Sequence, residues 1–247
     1  FNSYRKVDND RGFSPSFSKS SNLSIKSTLA KSGNNAKMSV NGSATGCSYT
    51  IDYTFYPDGT VDMKVTFSPS ETLARIGLGM QFASGFENVE FYARGPRSNY
   101  SDRKTGSYLG RFTTTVDDMV DEMIHPQTFG DHEDMRELIL TNKASNVQIG
   151  IKAGGRASFS LSHYDETEWC TSGDSMWNTN LHWYDLTRYQ QVYAHFDYMQ
   201  RGLGNNSCGG DSCLSDYVCP SYSSWNSSYG YTLRFTPQSG GNARITE

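Results

Sequence analysis

Hydrophobic and polar residues alternate with a period of two along most of this chain, and the pattern sharpens at Tyr49. Tyr49, Ile51, Tyr53 and Phe55 alternate with smaller or polar residues, "PDGT" interrupts, and Val61, Met63, Val65 and Phe67 resume the alternation. Two such runs around Pro-Asp-Gly predict a β-hairpin. Further strands are expected at 76–82 ("IGLGMQF"), 88–93 ("NVEFYA"), 137–142 ("ELILTN") and 147–153 ("VQIGIKA"). The same reading gives strands at 157–163 ("ASFSLSH"), 181–186 ("LHWYDL"), 191–198 ("QVYAHFDY") and 229–235 ("YGYTLRF"). Helical periodicity is nearly absent; "YDETEWC" has room for one or two turns.

Many short strands joined by loops predict an all-β fold of two packed antiparallel sheets. No repeat or linker divides the chain, so residues 1–247 are read as one domain. Within it, residues 1–46, rich in Ser, Asn and Lys, form an irregular opening segment packed on the sandwich. Two long stretches lack a strand pattern, 94–108 and 202–228, and loops of that length tend to carry function.

Composition narrows the partners. A chain of 247 residues buries a substantial core, and 16 Tyr and 4 Trp suit half-buried β-surfaces and sugar-facing rims. The net charge of −4, with no basic stripe, speaks against nucleic acid. No run approaches the roughly 18 apolar residues of a membrane span, and "FNSYRKVDND" lacks the core of a signal peptide. The compartment, cytoplasmic or secreted, stays open. The start at Phe1, without Met, suggests a piece of a longer polypeptide.

Candidate chemistries thin out quickly. The Gly202-Leu-Gly204 turn lacks the third glycine and the following helix of a dinucleotide site. Cys208, Cys213 and Cys219 are spaced more loosely than structural zinc ligands, and five cysteines exclude a fully paired disulfide framework. No metal or cofactor is expected. The five histidines, His125, His132, His163, His182 and His195, show no metalloprotease spacing. The dense segment "HPQTFGDHEDMRE" (125–137) reads as an ion-paired loop or as an acid/base cluster, with the ion-paired loop favoured. No G-x-S-x-G nucleophile elbow is present, and 26 acidic residues are too many to single out a glycosidase pair.

Five ordered stretches then carry a resemblance. They are "YRKVDNDRG" (4–12), "FYARGPRSNYSDRKTGSYLGRF" (91–112), "IHPQTFGDHEDMREL" (124–138), "FSLSHYDETEW" with "NLHWYDL", and "VYAHFDYMQRGLGNNSCG". Together they resemble the C-terminal "small-chain" domain of the large β-galactosidases of glycoside hydrolase family 2. The resemblance implies a galactose-mutarotase-like β-supersandwich. It implies that this chain has no catalytic residues of its own, because the family's glutamates lie on a barrel domain upstream in the same polypeptide. The sandwich then lends loops to a cleft where a galactoside binds, and a homo-oligomer is compatible with this role. One loop is Gly95–Arg103, mobile in the family, with Gly95 and Pro96 as a hinge and Arg97 beside them. Asn99, Tyr100, Asp102 and Arg103 match the family pattern, while Ser98 replaces its Glu. The second contribution contains Asn206 and Cys208, and Cys208 stands where some members carry a Trp platform. Two rivals remain: a sugar mutarotase or epimerase using the 125–137 cluster, and a carbohydrate-binding module using exposed Tyr and Trp.

Overall fold

A computed structural model describes residues 1–7, 24–44, 46–169, 181–204, 213–219 and 229–239. Their strands are β1 (Ser24–Ser32), β2 (Asn35–Ala44), β3 (Cys47–Phe55), β4 (Val61–Pro69), β5 (Arg75–Phe82) and β6 (Asn88–Gly95). The second half adds β7 (Tyr108–Thr115), β8 (Glu137–Asn142), β9 (Val147–Gly155), β10 (Ser158–Ser162), β11 (Val192–Gln200) and β12 (Tyr229–Ser239). All pairings are antiparallel. Nine strands form a sheet in the order β1-β2-β3-β4-β12-β9-β8-β6-β7, and β10-β11-β5 form a second. Among the described residues no helix is long and apolar enough to cross a membrane.

The predicted hairpin is present: β3 and β4 pair from Cys47↔Pro69 to Phe55↔Val61. Its turn closes by Tyr56 N–H to the Thr60 carbonyl at 2.9 Å, while the Asp58 carboxylate accepts the Thr60 N–H. Gly59 sits at φ +86°, a region that side chains avoid, which is why the turn carries glycine there. The alternation puts Tyr49, Ile51, Met63, Val65 and Phe67 inward. They meet Phe91 of β6 and Leu233 of β12, and from the smaller sheet Ile76, Phe159 and Phe196. Each fully buried large side chain contributes roughly 1.5–3 kcal/mol. The sandwich is therefore held by one core between the two sheets.

Three sequence expectations need correction. The opening 46 residues are not irregular throughout, because β1 and β2 form a hairpin that extends the large sheet. Every residue of β1 is exposed, including Ile25 at 56% and Leu29 at 74%, so its short alternation of apolar and polar residues marks no core-facing side. "LHWYDL" is not a strand: Trp183–Asp185 is a 3-10 turn, and the Asp185 carboxylate accepts the His182 N–H at 2.9 Å. The stretch 94–108 gives way to strand β7 at Tyr108, whose exposed and half-buried residues blurred the pattern.

The second face of the small sheet is covered as well. Asn2 pairs with Gly77 on the free edge of β5 through two backbone hydrogen bonds, and Lys6 then exchanges hydrogen bonds with Thr128. Gly77 has to be small, since a Cβ there would lie 1.9 Å from an Asp197 carboxylate oxygen. A lesser apolar cluster of Tyr4, Phe129, Trp169 and Leu186 packs on this side. Between it and the sheet lies a layer of buried charge.

Candidate functional site

The loop 95–103 leaves β6 and is fixed in three directions. Asn99, almost fully buried, does most of this. Its N–H donates to the Asp131 carbonyl at 2.7 Å, and its side-chain oxygen accepts the Glu133 N–H at 3.1 Å. Its side-chain NH2 donates to the carbonyls of Arg94 and Arg97, which closes the loop on itself. Ser101 donates to the Gln200 carbonyl at 3.4 Å. Asp102 then reaches to the chain leaving β11, where its carboxylate accepts the N–H groups of Leu203 (3.1 Å) and Gly204 (2.6 Å).

The two segments that the sequence singled out thus form one rim. Arg5 braces it from the opening segment: its buried guanidinium donates to the Arg201 carbonyl and, at 3.1 Å, to the Gly202 carbonyl. Pro96, Arg97 and Arg103 are exposed, Ser98 and Asp102 half-buried, and Gly95, Asn99 and Tyr100 buried. The Gly95–Pro96 peptide is cis. Burial first, then the Asp131 and Asp121 charges, raise the Tyr100 phenol, so it stays neutral. Asn206 and Cys208 lie outside the described residues, as does Cys170. Cys213 and Cys219 are free thiols, both raised by burial, which disfavours the thiolate that a metal needs.

The dense segment 125–137 is an ion-paired loop, as favoured. Lys104 meets Glu133 at 2.8 Å, and Arg94 meets Asp134 at 2.5 Å. His132 is sandwiched by Phe91 and Phe159 with centroids 4.8 and 5.3 Å away; burial lowers its pKa. His125 lies against His182 with the rings tilted and their centroids 5.3 Å apart, and Glu137 pairs with Arg111. No acid/base pair emerges from these residues.

The structure shows another charged group that sequence reasoning missed. Arg75, fully buried, donates to Glu166 at 2.6 Å and meets Asp197 at 3.0 Å. Glu166 also accepts from Thr128 and lies 3.2 Å from His195 Nε2. Burial works to raise Glu166, but the Arg75 charge, then His195, hold it below the usual carboxylate range. Burial pushes Asp197 up to about 7, with Arg75 pulling back and Glu166 adding to the rise. Asp131 is raised well above its ordinary value by burial, then by Glu133 and Asp197. One arginine thus faces more carboxyl groups than it can neutralise, and protons make up the difference.

His195 and Glu166 border a cleft of about 240 Å³ lined also by Phe1, Tyr4, Gln81 and Tyr193. The pair is nevertheless a poor acid/base. Asn2 donates its amide N–H to His195 Nδ1 at 2.8 Å, so Nε2 carries the ring proton toward Glu166. Both ring nitrogens are occupied, and burial, with Arg75 next, lowers the His195 pKa to about 4. The available signal for this network was a charged residue inside otherwise apolar strands, Arg75 in β5 and Asp197 in β11.

Comparison with solved structures supports the fold. A galactose 1-epimerase from Lactobacillus acidophilus NCFM superimposes with a TM-score of 0.50 over 88% of this chain and 67% of that one, at 8% identity. That degree of identity speaks to architecture alone, and the architecture is the galactose-mutarotase-like sandwich. Curated relatives are closer in sequence. A β-galactosidase of Staphylococcus xylosus is 32% identical over 148 residues, 60% of this chain and 13% of that protein. A β-galactosidase of Priestia megaterium is 28% identical over 212 residues, 81% of this chain and 18% of that protein. The chain spans less than a fifth of the length of either. The family described as "Beta galactosidase small chain" matches residues 1–233, which takes in both arms of the rim and the buried charge layer, and the chain belongs to that family.

Proposed function

We propose that this chain is the C-terminal sandwich domain of a glycoside hydrolase family 2 β-galactosidase, and that its rim shapes the mouth of a galactoside cleft. Catalysis is retaining, by two glutamates on a barrel domain elsewhere in the polypeptide. This chain supplies no reacting group; Arg97, Ser98 and Arg103 face the sugar side, and Asn99 and Asp102 hold them there. Asn206 and Cys208 lie outside the described residues, and a thiol at 208 offers less stacking area than an indole. The observation that carries the reading is the Asp102 clamp, which joins the two family-like loops across 101 residues of sequence.

The test uses the full polypeptide and a nitrophenyl galactoside. Arg103→Ala and Arg97→Ala are expected to lower kcat/KM several-fold with the melting temperature unchanged. Unaltered kinetics in both variants would refute the rim. The 247-residue chain alone is expected to release no nitrophenol and to leave the mutarotation of fresh α-galactose at its uncatalysed rate.

A further inference from the structure

β6 and β11 both run toward the rim, so the connections before them lie at the opposite end of the sandwich, roughly 25 Å away at about 3.3 Å per residue. There, Glu87, Asp117 and His163 place a ligand atom each within 4.8 Å of one another. Backbone contacts position all three. The Glu87 carbonyl accepts the Val116 N–H at 3.0 Å, Asp117 opens a 3-10 turn, and the His163 carbonyl accepts the Tyr189 N–H at 2.8 Å. His163 is fully buried, whereas Glu87 and Asp117 are 38% and 57% exposed.

The hydrogen-bond pattern of His163 is informative. Its Nδ1 lies 2.9 Å from the Gln191 carbonyl, which can only accept, so Nδ1 carries a proton. In the neutral ring, Nε2 is then a bare lone pair. It faces a Glu87 carboxylate oxygen at 2.7 Å, a second acceptor. At 2.7 Å the two atoms are hydrogen-bonded, and a metal ion that displaced the shared proton would take both as ligands once they spread apart. A ring N–H on a backbone carbonyl, with the other nitrogen turned to carboxylates, is the usual setting of a metal-bound histidine. Asp117 brings the second carboxylate. Arg188 pairs with both of its oxygens through Nη2 contacts of 2.9 and 3.0 Å and competes with a metal ion for them.

We propose that His163, Glu87 and Asp117 form a divalent transition-metal site of the zinc class, with solvent completing the coordination on the exposed side. One imidazole with two carboxylates suits Zn²⁺; Mg²⁺ and Ca²⁺ favour all-oxygen sets. The ion would clamp the β5–β6 and β7–β8 connections to the β10–β11 connection.

The experiment takes the full polypeptide, strips it with a chelator and titrates it with ZnCl2. Zinc content is measured, and crystals are examined by anomalous diffraction at the zinc edge. We expect a peak between the three side chains, and one zinc equivalent at least tenfold weaker in His163→Gln and Asp117→Asn. Arg188→Gln removes a competing cation and should bind zinc several-fold more tightly, a gain that misfolding does not mimic. Equal MgCl2 should not displace the ion. Unchanged zinc content in His163→Gln and Asp117→Asn, or no peak at this position, overturns the site and leaves His163 as a structural hydrogen-bond partner of Glu87.

Discussion

Asp102 holds Gly204: the carboxylate accepts the glycine N–H at 2.6 Å and the neighbouring Leu203 N–H at 3.1 Å. Charge-assisted bonds to backbone donors are stronger than neutral ones, and these two are partly shielded from water. Asp102→Ala should cost about 1–3 kcal/mol, since both donors lose their acceptor. Asp102→Asn keeps one acceptor oxygen and should cost less. Urea midpoints of the three proteins check the order, and equal midpoints would count against the clamp.

The same contact leaves no room at Gly202. A Cβ there would lie 2.8 Å from the Asp102 carboxyl carbon and 2.9 Å from Tyr217 Cβ, whereas one at Gly106 meets nothing within 4 Å. Gly202→Ala is expected to destabilise by about 1–3 kcal/mol through overpacking. Gly106→Ala, within the first long loop, should be neutral or gain up to about 1 kcal/mol by restricting the unfolded chain. Thermal melts of the pair provide the comparison.

Arg75 is the cation on which Glu166 and Asp197 both depend. Arg75→Met would leave the buried Glu166 carboxylate, and the ionised fraction of Asp197, without a cation and should cost about 3–5 kcal/mol. Lysine should not restore the loss, because a single ammonium cannot reproduce the forked geometry toward two acids. Adding Asp197→Asn to Arg75→Met should recover part of it. Additive costs in a double-mutant cycle would contradict this coupling.

The pH dependence of this layer hides two opposed slopes. Asp197 is raised to about 7, against about 3.9 in an unfolded chain, so its stabilisation is full below about pH 4 and is lost as pH rises through 7. His195 is lowered to about 4, against about 6.5 unfolded, so its stabilisation is present above about pH 6.5 and is lost as pH falls through 4. Between about pH 4 and 6.5 the two nearly cancel. Asp197→Asn should make stability fall on acidification, and His195→Gln should make it fall as pH rises. Denaturation midpoints at several pH values across this window check the signs; parallel profiles for both variants would refute them.

The sequence by itself determined the sheet-forming segments whose two faces differ. The β3–β4 hairpin, β6 and β12 were legible because one side of each strand meets the core and the other meets more polar surroundings, and β8 was legible as a short apolar run buried on both faces. β1 was not, since neither of its faces is buried, and "LHWYDL" imitated a strand by its apolar and aromatic residues, of which Trp183 packs from a 3-10 turn against Phe129 and Tyr164. The ordered motifs also indicated the family and both arms of the rim. Only the tertiary structure decided which groups act on one another: Asp102 on Gly204, Arg75 on Glu166 and Asp197, and His163 on Glu87. Periodicity reports which face of a strand a residue occupies. Contacts between residues some 75–120 positions apart depend on how the sheets stack and where the connections return, and local pattern carries no record of that.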